Sequence, residues 1–404
     1  MKKVYMDYAA TTFVRPEVIE AMLPYFGVEF YNPSSLYSFS DHNKEAIATA
    51  RRQVADAINA SPDEIYFTGG GSEADNWALK GTAWAFAEKK GKHLITSCIE
   101  HHAILHSMDF LKRQGFDVTF LPVDSEGFVK PEVLRAAMRP DTSIVSIMFA
   151  NNEIGTIEPI KELAAVAHEF GALFHTDAVQ AVTHTPIDVK DLGVDMLSSA
   201  GHKFYAPKGV GFLYIRKGLK IENLIHGGGQ EKSRRAGTEN VAGIVAIGKA
   251  IELASAGMDR ENARLAALRD KLIDGILTAV PHAKLNGSRT SRLPGNANFS
   301  FVGIEGETML LDLDDAGIAA STGSACASAS LDPSHVLMSI GLKHEQAHGS
   351  IRLTMGHGTT EDDVDYVLET LPQIVKRRRE MSPLWSEYLE SLKGGKDSCS
   401  TAKL

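Results

Sequence analysis

The chain has 404 residues, of which 44% are hydrophobic and 23% are charged, a composition typical of globular proteins. Its net charge of −9, without a long block of Lys and Arg, argues against a nucleic-acid-binding protein. No apolar run reaches the ~18 residues of a membrane-spanning helix, and no signal peptide is predicted. Three scattered cysteines are too few for a disulfide framework, so we expect a reducing, cytoplasmic location.

Short apolar runs alternate with helical patterns along the first 255 residues. The stretch KELAAVAHEFG has apolar side chains at helical spacing, and Gly171 suits the end of that helix. Such alternation predicts an α/β fold with a mostly parallel sheet covered by helices, in a large domain of residues 15–257. The predicted strands are EIYFT (64–68), HLITS (93–97), SIVSIMF (143–149), ALFHTD (172–177), DMLSS (195–199) and GFLYI (211–215).

The pattern changes near residue 255, where ENVAGIVAIGKAIELA and RENARLAALRDKLIDGIL predict two consecutive helices. Beyond them, the runs NANFSFVG, IAAST and SIRLTMG alternate with two more helices. We therefore predict a smaller α/β domain that comprises residues 1–14 and 258–383. The chain turns polar after Pro383, which predicts a flexible C-terminal tail over residues 384–404.

Polar residues follow the predicted strands, at the edge of an open α/β sheet where ligands bind. After the first strand, GGGSEADN places glycines and Ser72 at a helix start, whose N–H groups and dipole favour a phosphate. An ordinary glycine-rich turn explains this stretch equally well. His101 and His102 form a histidine pair near a strand end, which is often structural, so no metal site is predicted. The later strand ends add Asn151 and Asn152, Asp177 with Gln180, and His202 with Lys203.

One sheet edge would then combine a phosphate-binding turn, a histidine, amides, an acid and a lysine, which fits pyridoxal 5'-phosphate. Lys203 would form the Schiff base, and Asp177 would pair with the protonated pyridine nitrogen. The small residues of SSAGHKFYAPKG leave room for this cofactor beside the lysine. Taken singly, Lys203 is better explained as a surface lysine, and Asp177 also suits a helix N-cap. The interpretation therefore depends on the strands lying side by side.

The chain resembles the cysteine desulfurases of the NifS/IscS group, in the class-V aminotransferase family of fold-type I pyridoxal phosphate enzymes. The resemblance runs from residue 6 to residue 385 and depends on an ordered set of motifs. It implies that family's large domain with a mostly parallel sheet and its smaller α/β C-terminal domain. The motifs are MDYAATT, NPSS, FTGGGSEADN, EHHAIL, NNEIG, HTDAVQ, SAGHKFYAPKGVG, HGGGQEKSRRAGTEN, STGSACASASLDPSHVL, SIRLTMG and SPLW.

The resemblance implies roles for the residues that face the cofactor ring. Lys203 would carry the Schiff base, and His101 would stack on the ring and assist proton transfers. Asp177 would pair with the ring nitrogen, and Gln180 with the phenolic oxygen. Asn152 would contact both cofactor and substrate.

The resemblance also implies ligands for the two charged groups. The phosphate would be held by Gly71, Ser72 and His202, with Thr238 reaching over from the other subunit of a homodimer. The substrate carboxylate would be bound by Asn32 and Arg352.

Cys326 lies in AASTGSACASAS, residues 319–330, which has no large apolar side chain and is predicted to be a mobile loop. An exposed thiol there suits a nucleophile that collects a sulfur atom and carries it away. The resemblance implies that the enzyme converts L-cysteine to L-alanine and a persulfide on Cys326. The sulfur would pass to an iron–sulfur scaffold or another acceptor protein. Cys98 and Cys399 are given no catalytic role.

Two positions depart from the family pattern. Ala200 stands where relatives usually have serine, which removes one hydroxyl from the phosphate site, and Tyr37 stands where relatives often have histidine. The rival functions are an aminotransferase or selenocysteine lyase of the same fold, and a non-catalytic protein that keeps the fold as a binding partner. The last would be expected to lack Lys203, Asp177 or Cys326, and all three are present.

Overall fold

The computed structural model describes residues 2–322 and 333–397. Its centre is a sheet of seven strands in the order β2-β8-β7-β6-β5-β3-β4. All neighbours from β7 to β4 are parallel, and only β8 runs against its two neighbours. The strands are β2 Ile65–Thr68, β3 His93–Ser97, β4 Asp117–Leu121, β5 Thr142–Ser146, β6 Leu173–Asp177, β7 Met196–Ala200 and β8 Gly211–Ile215.

Helices cover both faces of this sheet and connect its strands. They are α1 Pro16–Met22, α2 Pro24–Gly27, α3 Asp41–Ala57, α4 Gly71–Phe86, α5 His102–Arg113, α6 Pro131–Ala137, α7 Ile160–Glu169, α8 Val189–Leu192, α9 Gln230–Ser233 and α10 Val241–Ala256. The strands are buried on both faces, so adjacent side chains belong to different cores. Leu94 of β3 packs with α4 and α5, whereas Ile95 packs with α3, α7 and α10.

A second, separate core is built mainly by residues after 258. The antiparallel strands β9, β10 and β12 lie beside α11, α12 and α15, and the N-terminal strand β1 pairs with β11. Val4 and Met6 are buried in this second core, so the start of the chain packs with residues far along the sequence. The remaining helices and strands of the described chain are β1 Val4–Tyr5, α11 Met258–Ala279, β9 Ala283–Leu285, β10 Asn296–Phe301, α12 Gly306–Asp315, β11 Ile318–Ala319, α13 His335–Ser339, α14 His344–His348, β12 Ser350–Thr354, α15 Glu361–Glu380 and α16 Pro383–Asp397.

The first part of the segment expected to form a flexible tail, residues 384–404, is helical, from Pro383 to Asp397. Trp385 explains why the helix forms there. Its ring lies 4.0 Å from the guanidinium of Arg379 and stacks on Tyr388, one turn further along. The aromatic pair thus anchors a polar helix to the end of α15. Residues beyond 397 lie outside the described part of the chain.

The described residues contain no single helix that is long and apolar enough to cross a membrane. The consecutive helices α10 and α11 reach the required length and composition only together, and they are bent by 71° at their junction.

Candidate active site

The carboxyl ends of the parallel strands bring the predicted polar residues to one edge of the sheet. Asp177 is the last residue of β6, and Lys203 ends a short 3₁₀ turn that follows β7. His101 precedes the first residue of α5, after β3. The glycines before α4 follow β2. Because these strands run in the same direction within one sheet, their carboxyl ends lie at the same edge, and residues as distant in sequence as Gly71 and Lys203 are brought there.

Lys203 is half-buried, and its ammonium group is held by the N-terminal segment. Its Nζ donates to the carbonyl oxygens of Ala9 at 2.5 Å and Ala10 at 2.9 Å. Gln180 donates from Nε2 to the same Ala9 carbonyl at 3.0 Å. The lysine and the glutamine predicted to serve one cofactor are therefore joined through a single backbone oxygen.

Asp177 is 5% exposed, and its Oδ1 accepts a hydrogen bond from the Val179 N–H at 2.9 Å. Burial raises the pKa of this carboxyl, while the Val179 N–H and the charge of Lys203 act in the opposite direction. A buried carboxylate held by a nearby cation is the arrangement needed to keep a protonated ring nitrogen charged.

His101 is the N-cap of α5, where its Nδ1 accepts from the Ala103 N–H at 3.1 Å. Burial, and then the charge of Lys203, lower the pKa of His101 to about 4. The ring is therefore neutral at physiological pH and carries its proton on Nε2, because Nδ1 is an acceptor. A neutral aromatic ring beside the lysine suits stacking on a planar cofactor.

The start of α4 has the features of an anion site. No side chain caps this helix, and Ser72 is exposed in its first turn. A Cβ on Gly71 would lie 2.6 Å from Val179 Cγ2 and 3.5 Å from the Cβ of Ala200. Close packing thus requires glycine at this position. Ala200, which stands where relatives usually have serine, borders the same turn.

His202 directly precedes Lys203 in the sequence, and its Nδ1 is 3.2 Å from Thr11 Oγ1. Burial lowers the pKa of His202 to about 4, with further contributions from the charges of Lys203 and Lys208. A neutral imidazole at this position can donate one hydrogen bond to an anion.

Arg352 reaches the site from β12 of the second core, and its side chain is only 4% exposed. It donates to the carbonyl of Asn152 at 3.0 Å and to the Asp7 carboxylate at 2.8 Å. Its Nε is buried without a hydrogen-bond partner in the described part of the chain. The structure thus brings Arg352 and Asn152 together and adds Asp7 to them.

Asn32 and Thr238 are predicted site residues that lie exposed at the surface of the single subunit. Asn32 is exposed, and its Oδ1 accepts from the Ser34 N–H of its own turn at 2.9 Å. Thr238 is exposed in the segment between α9 and α10. Both are open to solvent in the single subunit, and their assignments stay predictions.

Cys326 and Cys399 lie outside the described residues, and so does most of the predicted loop. The described residues on either side of Cys326 are nevertheless attached at the site. Ser321 pairs with Arg352 through two backbone hydrogen bonds. Ser334 donates from Oγ to the buried Glu153 carboxylate at 2.5 Å, one residue after Asn152. The chain therefore enters and leaves the segment 323–332 beside the arginine and the asparagine.

Sequence reasoning missed several buried polar residues around the site. Asp7 pairs with Arg352, and Glu153 anchors Ser334. Near Asp177, His175 lies on the same strand β6, and Asp75 lies on α4 with its Oδ1 3.9 Å from His175 Nε2. One signal was available, since alternation in LFHTD places His175 on the same face of β6 as Asp177.

Comparison with known proteins gives consistent matches over almost the whole chain. The family model "Aminotransferase class-V" matches residues 4–367. A cysteine desulfurase IscS of Clostridium botulinum is 63% identical over 96% of this chain and 98% of its own length. The cysteine desulfurase IscS of Methanosarcina thermophila is 58% identical, over 97% of this chain and 96% of its own length.

Solved structures agree with these matches. A "NifS-like protein" superposes with a TM-score of 0.87 at 38% identity, covering 93% of this chain and 100% of its own. A structure titled "SspA in complex with cysteine" superposes with a TM-score of 0.78 at 37% identity, covering 87% of this chain and 99% of its own. The predicted α/β fold class is confirmed.

Proposed function

The chain belongs to the class-V aminotransferase family as a cysteine desulfurase, and we propose that it removes the sulfur of L-cysteine with pyridoxal 5'-phosphate bound at Lys203 and with Cys326 as sulfur acceptor. The observation that carries this proposal is the meeting of two sets of residues. The sheet edge presents Lys203 and Asp177. The described residues on either side of segment 323–332 are bonded to Arg352, through Ser321, and to Glu153, through Ser334.

The donor set fits pyridoxal 5'-phosphate. The uncapped start of α4 at Gly71, with Ser72 and His202, would bind the phosphate, and Thr238 of a second subunit would complete it. The Asp177 carboxylate would pair with the ring nitrogen, and Lys203 would bind the cofactor covalently. When bound, the cofactor supplies an electron sink that weakens the bonds at the substrate α-carbon.

Three side chains then manage protons and orientation. Lys203 Nζ lies close enough to Asp177 and His101 to affect both pKa values, so as a free amine it can take the substrate α-proton. His101 is neutral and presents its face or its Nε2–H without adding charge. Gln180, already bonded to the Ala9 carbonyl, would orient the phenolic oxygen.

Arg352 supplies the charge that would bind the substrate carboxylate. In the single chain its guanidinium is shared between the Asn152 carbonyl and the Asp7 carboxylate. Its buried Nε still lacks a partner in the described residues, so the side chain has donor capacity left for a ligand. Asn152 and Asn32 would add amide contacts.

The Cys326 thiolate would attack the sulfur of the bound substrate. A sulfur–sulfur bond forms, the bond between the substrate sulfur and its β-carbon breaks, and that electron pair stays with the product, which is protonated to alanine. The outer persulfide sulfur would then pass to an iron–sulfur scaffold or another acceptor protein.

We propose a cytoplasmic homodimer. The segment between Phe13 and Phe39 exposes a run of large apolar side chains, which a second subunit would cover. They include Leu23, Phe26, Val28, Phe30, Leu36 and Tyr37. A cytoplasmic location rests on the low cysteine content and on Cys98, which is a free thiol.

The decisive experiment follows the sulfur atom. Purified enzyme with L-cysteine is expected to form alanine without a keto-acid acceptor and to carry one extra sulfur on the peptide that contains Cys326, detected by mass spectrometry. Cys326→Ser should lose this persulfide while it retains the cofactor, and Cys98→Ser should behave as the wild type. Persulfide on Cys98 or Cys399 in the Cys326→Ser variant would contradict the assignment.

A further inference from the structure

A buried polar cluster lies directly beneath Asp177, on the face of the sheet that α4 covers. His175 is two residues before Asp177 on β6 and is fully buried. Its Nδ1 is 2.8 Å from Ser146 Oγ on β5, and its Nε2 is 2.9 Å from Ser198 Oγ on β7. The register of the sheet explains this arrangement, because Ser146 pairs with His175 and Ser198 pairs with Asp177.

Asp75 closes this cluster from α4, one turn after the candidate phosphate site. It is 1% exposed, and the Ser198 side chain is the neighbouring polar group that interacts with its carboxyl group. Its Oδ1 lies 3.9 Å from His175 Nε2, too far for a hydrogen bond, and has no partner in the described residues. A carboxylate buried with so few donors would be strongly unfavourable.

The ionisable groups that face Asp75 are Asp177 and His175 on β6 and Glu100 after β3. Asp177 alone among the acids has a nearby cation, Lys203, together with a backbone N–H donor. Two carboxylates in one dry site do not both ionise, so the charge stays where a cation and a donor stabilise it.

The other groups of the cluster are neutral. Burial raises the pKa of Asp75 well above its usual value, and the charge of Asp177 raises it further. Burial also raises the pKa of Glu100 to about 8 and lowers that of His175 to about 3.

We propose that Asp75 is a permanently protonated carboxylic acid that donates to Ser198 and thereby keeps the single negative charge of this cluster on Asp177. Asp75 is a positioning residue, since it acts through Ser198 and Asp177 and does not touch the substrate. The role of Asp177 toward the cofactor rests on the proposed function, whereas the protonation of Asp75 does not.

With Asp75 protonated, the other proton positions of the cluster are defined. The Asp75 O–H donates to Ser198 Oγ, which leaves the Ser198 hydroxyl free to donate to His175 Nε2. The neutral imidazole then carries its proton on Nδ1 and donates to Ser146. Each hydrogen bond in the series Asp75–Ser198–His175–Ser146 thus has one defined donor.

The first test is infrared difference spectroscopy of the purified full-length enzyme at neutral pH. Wild type minus Asp75→Asn should show the C=O stretching band of a protonated carboxylic acid. Glu100→Gln is the matched control for a second buried acid, and its band should disappear as the pH rises through about 8. Carboxylate bands in place of the acid band for Asp75→Asn would overturn the proposal.

The second test is the pH dependence of unfolding. An acid whose folded pKa is raised releases its proton on unfolding, so it weakens the fold as the pH rises above the unfolded pKa of ~4. Asn does not titrate. The unfolding equilibrium constant of wild type relative to Asp75→Asn should therefore grow about tenfold per pH unit between about pH 5 and 7. A ratio that stays flat or falls would contradict a protonated Asp75.

The third test separates positioning from a structural role. Asp75→Asn keeps a donor toward Ser198, so the His175 Nδ1–H signal in ¹⁵N NMR and the pH titration of the cofactor absorbance should be retained. Asp75→Leu removes the donor and should mix the two His175 tautomers. If the NMR results hold but Asp177→Asn leaves cofactor absorbance unaltered, the proposed role of Asp177 fails while this inference stands. An unchanged tautomer in Asp75→Leu would refute the donor role.

Discussion

The residues of the candidate site come from two parts of the molecule, the central seven-stranded sheet and the second core. The two parts hold these side chains in place in different ways. Asp177 and Lys203 follow adjacent strands of one sheet, and their positions are fixed by backbone pairing. The backbone of Arg352 is also paired, in β12 of the second core, but its guanidinium is held by hydrogen bonds to the Asn152 carbonyl and the Asp7 carboxylate. Asp177 and Lys203, from the sheet, are assigned to the cofactor, and Arg352, from the second core, is assigned to the substrate. We infer that the cofactor side is preorganised, whereas the substrate side can be weakened one contact at a time.

The largest effect is expected on the cofactor side. Lys203→Ala should abolish turnover and leave no cofactor fixed to the protein after borohydride treatment, because no other amine replaces Nζ. The fold should survive, since Lys203 is only half-buried. Lys208→Ala, in the same turn region but exposed, is the control and should retain activity. Turnover by Lys203→Ala at the wild-type rate would show that the lysine is misassigned.

A smaller effect is expected on the substrate side. Arg352→Gln should lower kcat/KM by about 30-fold to several thousandfold, the equivalent of the ~2–5 kcal/mol that removal of a buried charge partner costs. Cofactor absorbance should be preserved. Arg378→Gln removes another ion-paired arginine of the second core and should leave kcat/KM nearly unchanged. Equal kinetics for the two variants would argue against carboxylate binding by Arg352.

Ala200 offers a gain on the cofactor side. A serine hydroxyl there would add one donor beside the Gly71 turn, worth ~1.5–3 kcal/mol if it reaches the phosphate. Ala200→Ser should slow cofactor loss during dialysis against a carbonyl scavenger by about tenfold or more. Ser199→Ala, on the other face of β7, should have no such effect. Faster loss from Ala200→Ser would show that this side chain does not serve the phosphate.

The smallest effect is expected from the end of the chain. Removal of residues 394–404 should leave cysteine turnover within about twofold, because every assigned site residue precedes them. Removal from Ser382 onward should instead lower the melting temperature, since Trp385 packs on Arg379 and Gly303. Cysteine turnover of the shorter truncation tests the first expectation. The thermal unfolding curves of both truncations, measured beside the full chain, test the second.

The same division explains what could be predicted from the sequence. Lys203, Asp177 and His101 were found because they follow strands, and parallel strands end at one edge. The Asp7–Arg352 pair joins residues 345 positions apart in the second core, and no local pattern indicates such a contact. β4 was missed because it lies at the edge of the sheet, where DVTFL is less buried and less apolar than the other strands and begins with the exposed Asp117.

The helix α16 is a second element that the sequence analysis did not predict. Its polar composition suggested a flexible segment, yet aromatic residues at Trp385 and Tyr388 are enough to anchor it. Composition averages over a segment and therefore hides two residues at helical spacing. Asp75 was overlooked for a similar reason, since its neighbours on the sheet come from β6 and β7 rather than from its own helix.

The segment from Met6 to Thr12 has a practical consequence for anyone who handles this protein. Within four residues it provides the carboxylate that pairs with Arg352 and the carbonyls that hold the Lys203 ammonium. We expect a fusion partner or affinity tag placed ahead of Val4 to disturb both the Asp7–Arg352 pair and the hydrogen bonds of Lys203. A tag placed after α16 should leave these interactions unchanged. Deleting the first ten residues removes little of the larger core, but it would take away a wall of the site.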